Sequence, residues 1–275
     1  MARPEGPVAL TTGASSGIGL ATAVELARRG CKSFGTVRSE PKAALLRAAA
    51  ASAGVEVHAV ILDVTDEKGC EQLVSEVRPS VVVNNAGFSV TGAIEDIGDE
   101  EARHALETMV VAPIRIARLA LPHMRDAGGG RVVNISSVFG LATSPLTGWY
   151  QGCKHALEAL SDALRAEVAG QGVRVVLVEP GGIRTGIWAE AEAEIAGREG
   201  SRHASSYRRL LATACLAEPV MGDPAHVARV VAGAVFARRP RPRYLVGLDA
   251  RTGAIYERIT PAVVRDRVAR TALGL

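Results

Sequence analysis

Seven short apolar runs, at residues 7–12, 31–37, 55–62, 80–83, 131–136, 173–179 and 244–246, are spaced along the chain, and stretches of helical character lie between them. Each run is short, and those at 80–83, 131–136 and 173–179 are rich in valine, which suits a strand buried on both faces better than a helix. Strands joined by helices of about 10–20 residues run parallel, because each helix carries the chain back to the starting edge. Right-handed crossovers then place helices on both faces of the sheet. The predicted architecture is α/β: a doubly wound parallel sheet of about seven strands within a single domain, 1–275. No repeat, low-complexity segment or linker interrupts it. In such a sheet ligands bind beyond the carboxyl ends of the strands.

The first run leads into T-G-A-S-S-G-I-G at 12–19 and then a helical pattern that stops at Gly30. Gly13 and Gly17 supply dihedrals that a side chain forbids, and Gly19 permits close packing at the helix start. Backbone N–H groups there can meet a pyrophosphate. The spacing is G-x-x-x-G-x-G, distinct from the G-x-G-x-x-G fingerprint. The second run ends in Val37-Arg38-Ser39, without the acid that would select a ribose 2′-hydroxyl. Arg38 offers a guanidinium to a 2′-phosphate instead, which favours NADP (NADPH) over NAD. Asp63-Val64 follows the third run, where the carboxylate either accepts from an adenine amine or caps a turn. N-N-A-G at 84–87 follows the fourth: Ala86 and Gly87 admit a ribose, while the asparagines either meet the cofactor or brace loop carbonyls. P-G-G-I-R-T at 180–185 follows the sixth.

The fifth run ends at I-S-S, 135–137, and Tyr150 and Lys154 lie shortly beyond. Four residues apart on a helix, these two share one face. A fixed cation beside a phenol favours the phenolate and lowers a pKa that is ordinarily near ~10. A tyrosine so tuned can pass a proton to or from an alcohol or carbonyl. The Ser137 hydroxyl can hold the same reacting oxygen.

Composition excludes other classes. A net charge of +3 and few aromatics do not suit nucleic-acid binding. The six histidines form no H-E-x-x-H or ligand cluster, so no metal is expected. The four cysteines, Cys31, Cys70, Cys153 and Cys215, are scattered and suit a reducing compartment. No signal core and no 18-residue apolar run is present, so a cytoplasmic protein without a membrane span is expected.

Together these motifs resemble the short-chain dehydrogenase/reductase family, in its shorter-subunit branch, over roughly residues 7–250. Six motifs appear in order, and Ser137 precedes Tyr150 by thirteen residues. The resemblance implies a Rossmann-type fold. It implies that Tyr150 is the acid/base, that Lys154 lowers its pKa and holds the nicotinamide ribose, and that Ser137 orients the substrate oxygen. The cofactor contacts implied are Gly13, Ser15, Ser16, Gly17, Ile18 and Gly19 at the first turn, then Arg38, Asp63, Val64, Asn84, Ala86 and Gly87. Pro180, Gly181, Ile183 and Thr185 close the set with Tyr150 and Lys154, Ile183 and Thr185 holding the carboxamide. V-R-S at 37–39, the Tyr150 helix and V-E-P-G at 178–181 look most like the NADP-dependent hydroxysteroid and retinol dehydrogenase group. One departure stands out: Met109 occupies the place of the family's usual asparagine, and a thioether is a poor water anchor.

Three further expectations concern the remaining chain. One helix, capped by Asp99, runs to Met124. Residues 186–221 form a substrate lid or a surface insertion. A C-terminal helix at 255–275, opened by Thr260-Pro261, turns Val263, Val264 and Val268 toward a partner subunit, its own core or a membrane surface. The leading reading is an NADP(H)-dependent oxidoreductase that moves hydride between nicotinamide and a carbonyl or secondary alcohol. Apolar Phe88, Val90, Leu141, Leu146 and Trp149 point to a lipophilic small-molecule substrate, and the family is commonly homo-oligomeric. The alternatives are a non-catalytic NADP-binding regulator or scaffold and, less favoured, an isomerase or dehydratase that keeps its cofactor bound.

Overall fold

Parallel pairing runs through the whole sheet of the computed structural model, which describes residues 6–275. The strands are β1 (Val8–Thr11), β2 (Lys32–Val37), β3 (Val57–Ile61), β4 (Val81–Asn84), β5 (Gly130–Ile135), β6 (Val173–Pro180) and β7 (Arg243–Val246). Their order is β3-β2-β1-β4-β5-β6-β7. The order reverses between β1 and β4, and the crevice at such a switch is where an open sheet binds ligands. Strand interiors such as Val81–Asn84 are buried throughout, as a sheet covered on both faces requires. One layer of core joins the sheet to α1 (Gly17–Arg28) and α9 (Pro224–Phe236), and the opposite layer joins it to α3 (Glu67–Val77) and α5 (Ala112–Asp126). A third pocket of core lies under α2 (Glu40–Ser52).

Local chemistry sets most element ends. Asp66 caps α3 by accepting from Gly69 N at 3.1 Å, and Asp223 caps α9 by accepting from Ala225 N at 2.8 Å. Gly30 ends α1 with φ +90°. Asp99, by contrast, is the first residue of α4 (Asp99–Leu106) and not its cap, which is Gly98. The single helix expected from 99 to 124 is also interrupted: a π turn over Glu107–Val111 separates α4 from α5. Pro113 gives the reason, since it has no N–H for the Met109 carbonyl and its ring crowds that oxygen. The wider turn buries Thr108, Met109 and Val110.

Residues 187–217 form two helices, α7 (Ile187–Ala196) and α8 (Ala204–Ala217). They clasp the loop between β4 and α4. Arg198 reaches Glu101 at 2.6 Å and the Thr91 carbonyl at 3.0 Å; Tyr207, fully buried, donates to Asp96 at 2.5 Å and accepts from Ala93 N at 2.7 Å. The C-terminal segment is two helices, α10 (Leu248–Ile259) and α11 (Ala262–Leu273): Thr260-Pro261 opens the second, as expected, but residues 255–259 belong to the first. Val263, Val264 and Val268 are exposed, so they do not pack into the chain's own core. Instead Leu273 packs with Tyr207 and Leu146. Among the described residues no helix is long and apolar enough to cross a membrane.

Candidate active site

The glycine turn is held in place by side chains from two neighbouring strands. Thr12 Oγ1 accepts from the N–H groups of Asn85 and Ala86, both at 3.0 Å, and Asn85 Nδ2 donates to the carbonyls of Thr12 and Gly13 at 3.0 and 3.1 Å. Gly13 N donates to Thr36 Oγ1 at 3.2 Å. Gly13 and Gly17 have φ of +66° and +54°, the left-handed region. A Cβ at Gly13 would lie 2.8 Å from Ala86 Cα, and one at Gly17 would lie 3.0 Å from Thr185 Cγ2. A cradle that two side chains would fill, ending at the N-terminus of α1, has the shape and polarity for a pyrophosphate. Ser15, Ser16, Ile18 and Gly19 belong to this turn and to the first turn of α1.

The other expected cofactor residues border the same crevice. Arg38 is exposed at the end of β2; the Asp63 pKa is lowered against the effect of burial, chiefly by hydrogen bonds from the Thr65 N–H and hydroxyl, with the Arg38 charge adding to them. Asp63 caps a turn, accepting from Thr65 N at 2.9 Å and Thr65 Oγ1 at 2.8 Å; Val64 is buried. Asn84 turns its amide inward, donating to the Pro113 carbonyl at 3.0 Å and to Asn134 Oδ1 at 2.8 Å. It therefore braces β4 against β5. Gly87 lies against Met109, whose thioether would be 3.5 Å from an added Cβ. Pro180 to Thr185 is pinned from three sides: Gly181 N donates to Val246 O at 2.9 Å, Gly182 N to Asp249 at 2.5 Å, and Arg184 N to Gly222 O at 3.0 Å. Ile183 is buried there. A cleft of about 710 Å³ extends from Gly17 and Thr185 to Trp188 and Met221. It borders the glycine turn, and Tyr150 is not part of its lining.

The three chemical candidates meet where β5 ends. Tyr150 and Lys154 stand one turn apart on α6 (Gly148–Glu167). Lys154 is buried, donates from Nζ to the Ile135 carbonyl at 2.9 Å, and lies 5.6 Å from the centre of the Tyr150 ring. Ser137 follows β5 and accepts from Phe139 N at 3.2 Å, and its hydroxyl lies against the Tyr150 phenol. Tyr150 is half-buried, edge-on to Phe139 at 6.5 Å, in a cluster that holds Phe88, Val90, Met109 and Trp149. Leu146, just before the helix, has φ +69°, a costly conformation for a non-glycine residue of the kind that gathers at functional sites.

Electrostatics correct one expectation. The Tyr150 pKa is pushed up to about 12, by burial first, with the Ser137 hydroxyl pulling the other way. Burial, and not the Lys154 cation, sets the direction of the shift. Burial also brings Lys154 down to about 8, opposed by Cys153 and Glu158. At neutral pH the pair is therefore a protonated phenol and an ammonium. Of the apolar neighbours, Val90 and Leu146 are core, whereas Phe88, Leu141 and Trp149 remain partly exposed. Thr12 and Thr36, which brace the glycine turn, carry no local signature; polar residues at the ends of buried strands were the only clue.

A family model described as short chain dehydrogenase matches residues 7–196. The chain belongs to the short chain dehydrogenase family. An uncharacterized oxidoreductase of Bacillus subtilis, YusZ, is 37% identical over 235 residues, 82% of each chain. The NADPH-dependent 3-dehydrocapnine reductase of Ornithobacterium rhinotracheale is 36% identical over 67% of this chain and 68% of its own. The 3-ketodihydrosphingosine reductase of Bacteroides thetaiotaomicron is 33% identical over 74% of each. Among solved structures, a short-chain dehydrogenase from Streptomyces avermitilis superposes with a TM-score of 0.76 at 31% identity, covering 98% of this chain and 96% of that one. A variant of actinorhodin polyketide ketoreductase with NADPH gives 0.77 at 28% identity, covering 92% and 99%. This short chain dehydrogenase thus shares with its relatives the seven-stranded parallel sheet and the single Rossmann-like domain.

Proposed function

We propose that this dehydrogenase is an NADP(H)-dependent oxidoreductase acting on a carbonyl or secondary alcohol of a lipophilic substrate, with Tyr150 as the acid/base. One observation carries the reading: the Ser137 hydroxyl, the Tyr150 phenol and the Lys154 ammonium converge where β5 ends, at the same end of the sheet as the glycine cradle. The nicotinamide supplies the hydride when bound. The chain supplies the proton and the geometry. A phenol that holds its proton until about pH 12 is a general acid at neutral pH, which favours the reductive direction. Ser137 would hold the carbonyl oxygen against that phenol. Lys154, fixed by Ile135 O, would meet the ribose. Phe88, Leu141 and Trp149 would line the substrate side, with α7 and α8 as its lid. The reductase names of two relatives and the NADPH in a solved neighbour support this choice of cofactor and direction.

NADPH oxidation over a panel of long-chain and cyclic ketones tests the reading, with NADH as a parallel arm. Turnover is expected with NADPH. Arg38→Ala should then weaken NADPH binding by roughly 10–100-fold, the equivalent of about 1.5–3 kcal/mol for a hydrogen bond to a charged group, and leave NADH unchanged. NADPH binding without turnover on any ketone would instead favour a non-catalytic NADP-binding protein, and equal losses for both cofactors would remove Arg38 from the 2′-phosphate.

A further inference from the structure

One face of α6 continues past Lys154. Tyr150, Lys154 and Glu158 follow one another at four-residue steps and line up on that face. Glu158 is only 5% exposed, and Glu179, on β6 just ahead of Pro180-Gly181, is fully buried. Both carboxylates meet Arg243 of β7: its Nη1 donates to Glu179 at 2.6 Å and also to Glu158, while its Nη2 donates to Asp162 at 2.6 Å. Asp162 is held in turn by Arg165 at 2.7 Å. The remaining oxygens, Glu158 Oε1 and Glu179 Oε2, have no partner among the described residues, nor has the buried hydroxyl of Ser136. A Cβ at Gly140 would lie 2.7 Å from Ser136 Oγ and 3.1 Å from Glu158 Oε1. Glu158 therefore turns its second oxygen toward the end of β5, which carries Ser137 and the carbonyl that holds Lys154.

A buried charge cluster of this kind is weak evidence for stability, because apolar replacements of similar volume often match it. Its placement suggests another role. We propose that Glu158, clamped beside Glu179 by Arg243, is a positioning residue that keeps the buried Lys154 amine charged. The inference rests on the reading of Lys154 given above. Two groups oppose the effect of burial on Lys154: Cys153 and Glu158. Burial pushes the Cys153 thiol up to about 11, so it is uncharged near pH 8 and Glu158 is the anion that acts. Glu179 does not share that task. Burial and the adjacent Glu158 push it up to about 7, so below neutral pH it holds a proton, while Arg243 Nη1 also lies on Glu158.

The chain has only four lysines, Lys32, Lys42, Lys68 and Lys154, and Lys154 alone is buried. Nuclear magnetic resonance of protein carrying [13Cε]lysine can therefore follow its titration directly. Glu158→Gln should lower the Lys154 midpoint by about one pH unit. The alkaline limb of kcat for ketone reduction should fall with it, and Glu158→Asp should restore both. Should Glu158→Gln not fold, Glu158→Met fills similar space without a charge, leaves Arg243 on Glu179 and Asp162, and should show the same displacement. A midpoint that stays in place or rises overturns the inference. A displaced midpoint in a protein that reduces no ketone would count against the oxidoreductase reading and leave the charge relation standing.

Discussion

Tyr150→Phe lowers kcat for ketone reduction by about 10²–10⁴-fold, the range that one positioned acid or base contributes, and changes NADPH affinity far less. The substitution removes one oxygen and keeps the ring. The ring's contacts are with Phe139 and with the cluster of Phe88, Met109 and Trp149, so packing is retained. Ser137 and Lys154 are the other groups near the end of β5 that carry a proton. Ser137 is a far weaker acid than a phenol, and Lys154 is bound to the Ile135 carbonyl. The loss should therefore appear in kcat at every pH, not as a shifted optimum. Steady-state rates together with fluorescence titration of NADPH separate the two quantities. A phenylalanine variant that retains most of its turnover would remove Tyr150 from the chemistry.

Gly19→Ala is the second large effect. The added methyl would run into the Gly13 carbonyl and the Asn85 amide, at distances no Cβ tolerates. Neither neighbour can yield. The carbonyl is backbone inside the cradle, and Asn85 Nδ2 is already bonded to Thr12 and Gly13. Overpacking of this kind costs about 1–3 kcal/mol, which corresponds to roughly 10–100-fold in NADPH affinity if the turn opens to relieve it. Gly233→Ala, in the last turn of α9 with open space around it, is the matched control; it should gain up to about 0.5–1 kcal/mol and leave binding alone. Calorimetric titration with NADPH and thermal melts of both variants decide the matter. Equal affinities for the two would mean that the cradle does not hold the phosphates.

The strands, their parallel order and the residues at their ends were legible because those signals are local: valine-rich runs, glycines at required turns, and a tyrosine and lysine at helical spacing. Asp66 and Asp223 cap α3 and α9 through their own carboxylates, a short-range interaction of the same local kind. What escaped depends on partners distant in sequence or on one unusual backbone group. The π turn at Glu107–Val111 follows from the missing N–H of Pro113, yet the apolar period across it reads as a continuous helix. Glu158, Glu179 and Arg243 come from α6, β6 and β7 and mean nothing singly. Tyr207 meets Asp96 across 111 residues. The rise in the Tyr150 pKa depends on burial, which the spacing of Tyr150 and Lys154 does not report.

Deuterium tracing asks most directly whether these residues surround a hydride transfer. NADPH labelled with deuterium at C4 of the nicotinamide, on either face in turn, is incubated with the best ketone of the panel, and the alcohol is analysed by mass spectrometry. Label from one face alone, lodged on the carbinol carbon and lost in Tyr150→Phe, is the predicted result. Unlabelled alcohol, or bound NADPH that never yields alcohol, contradicts it.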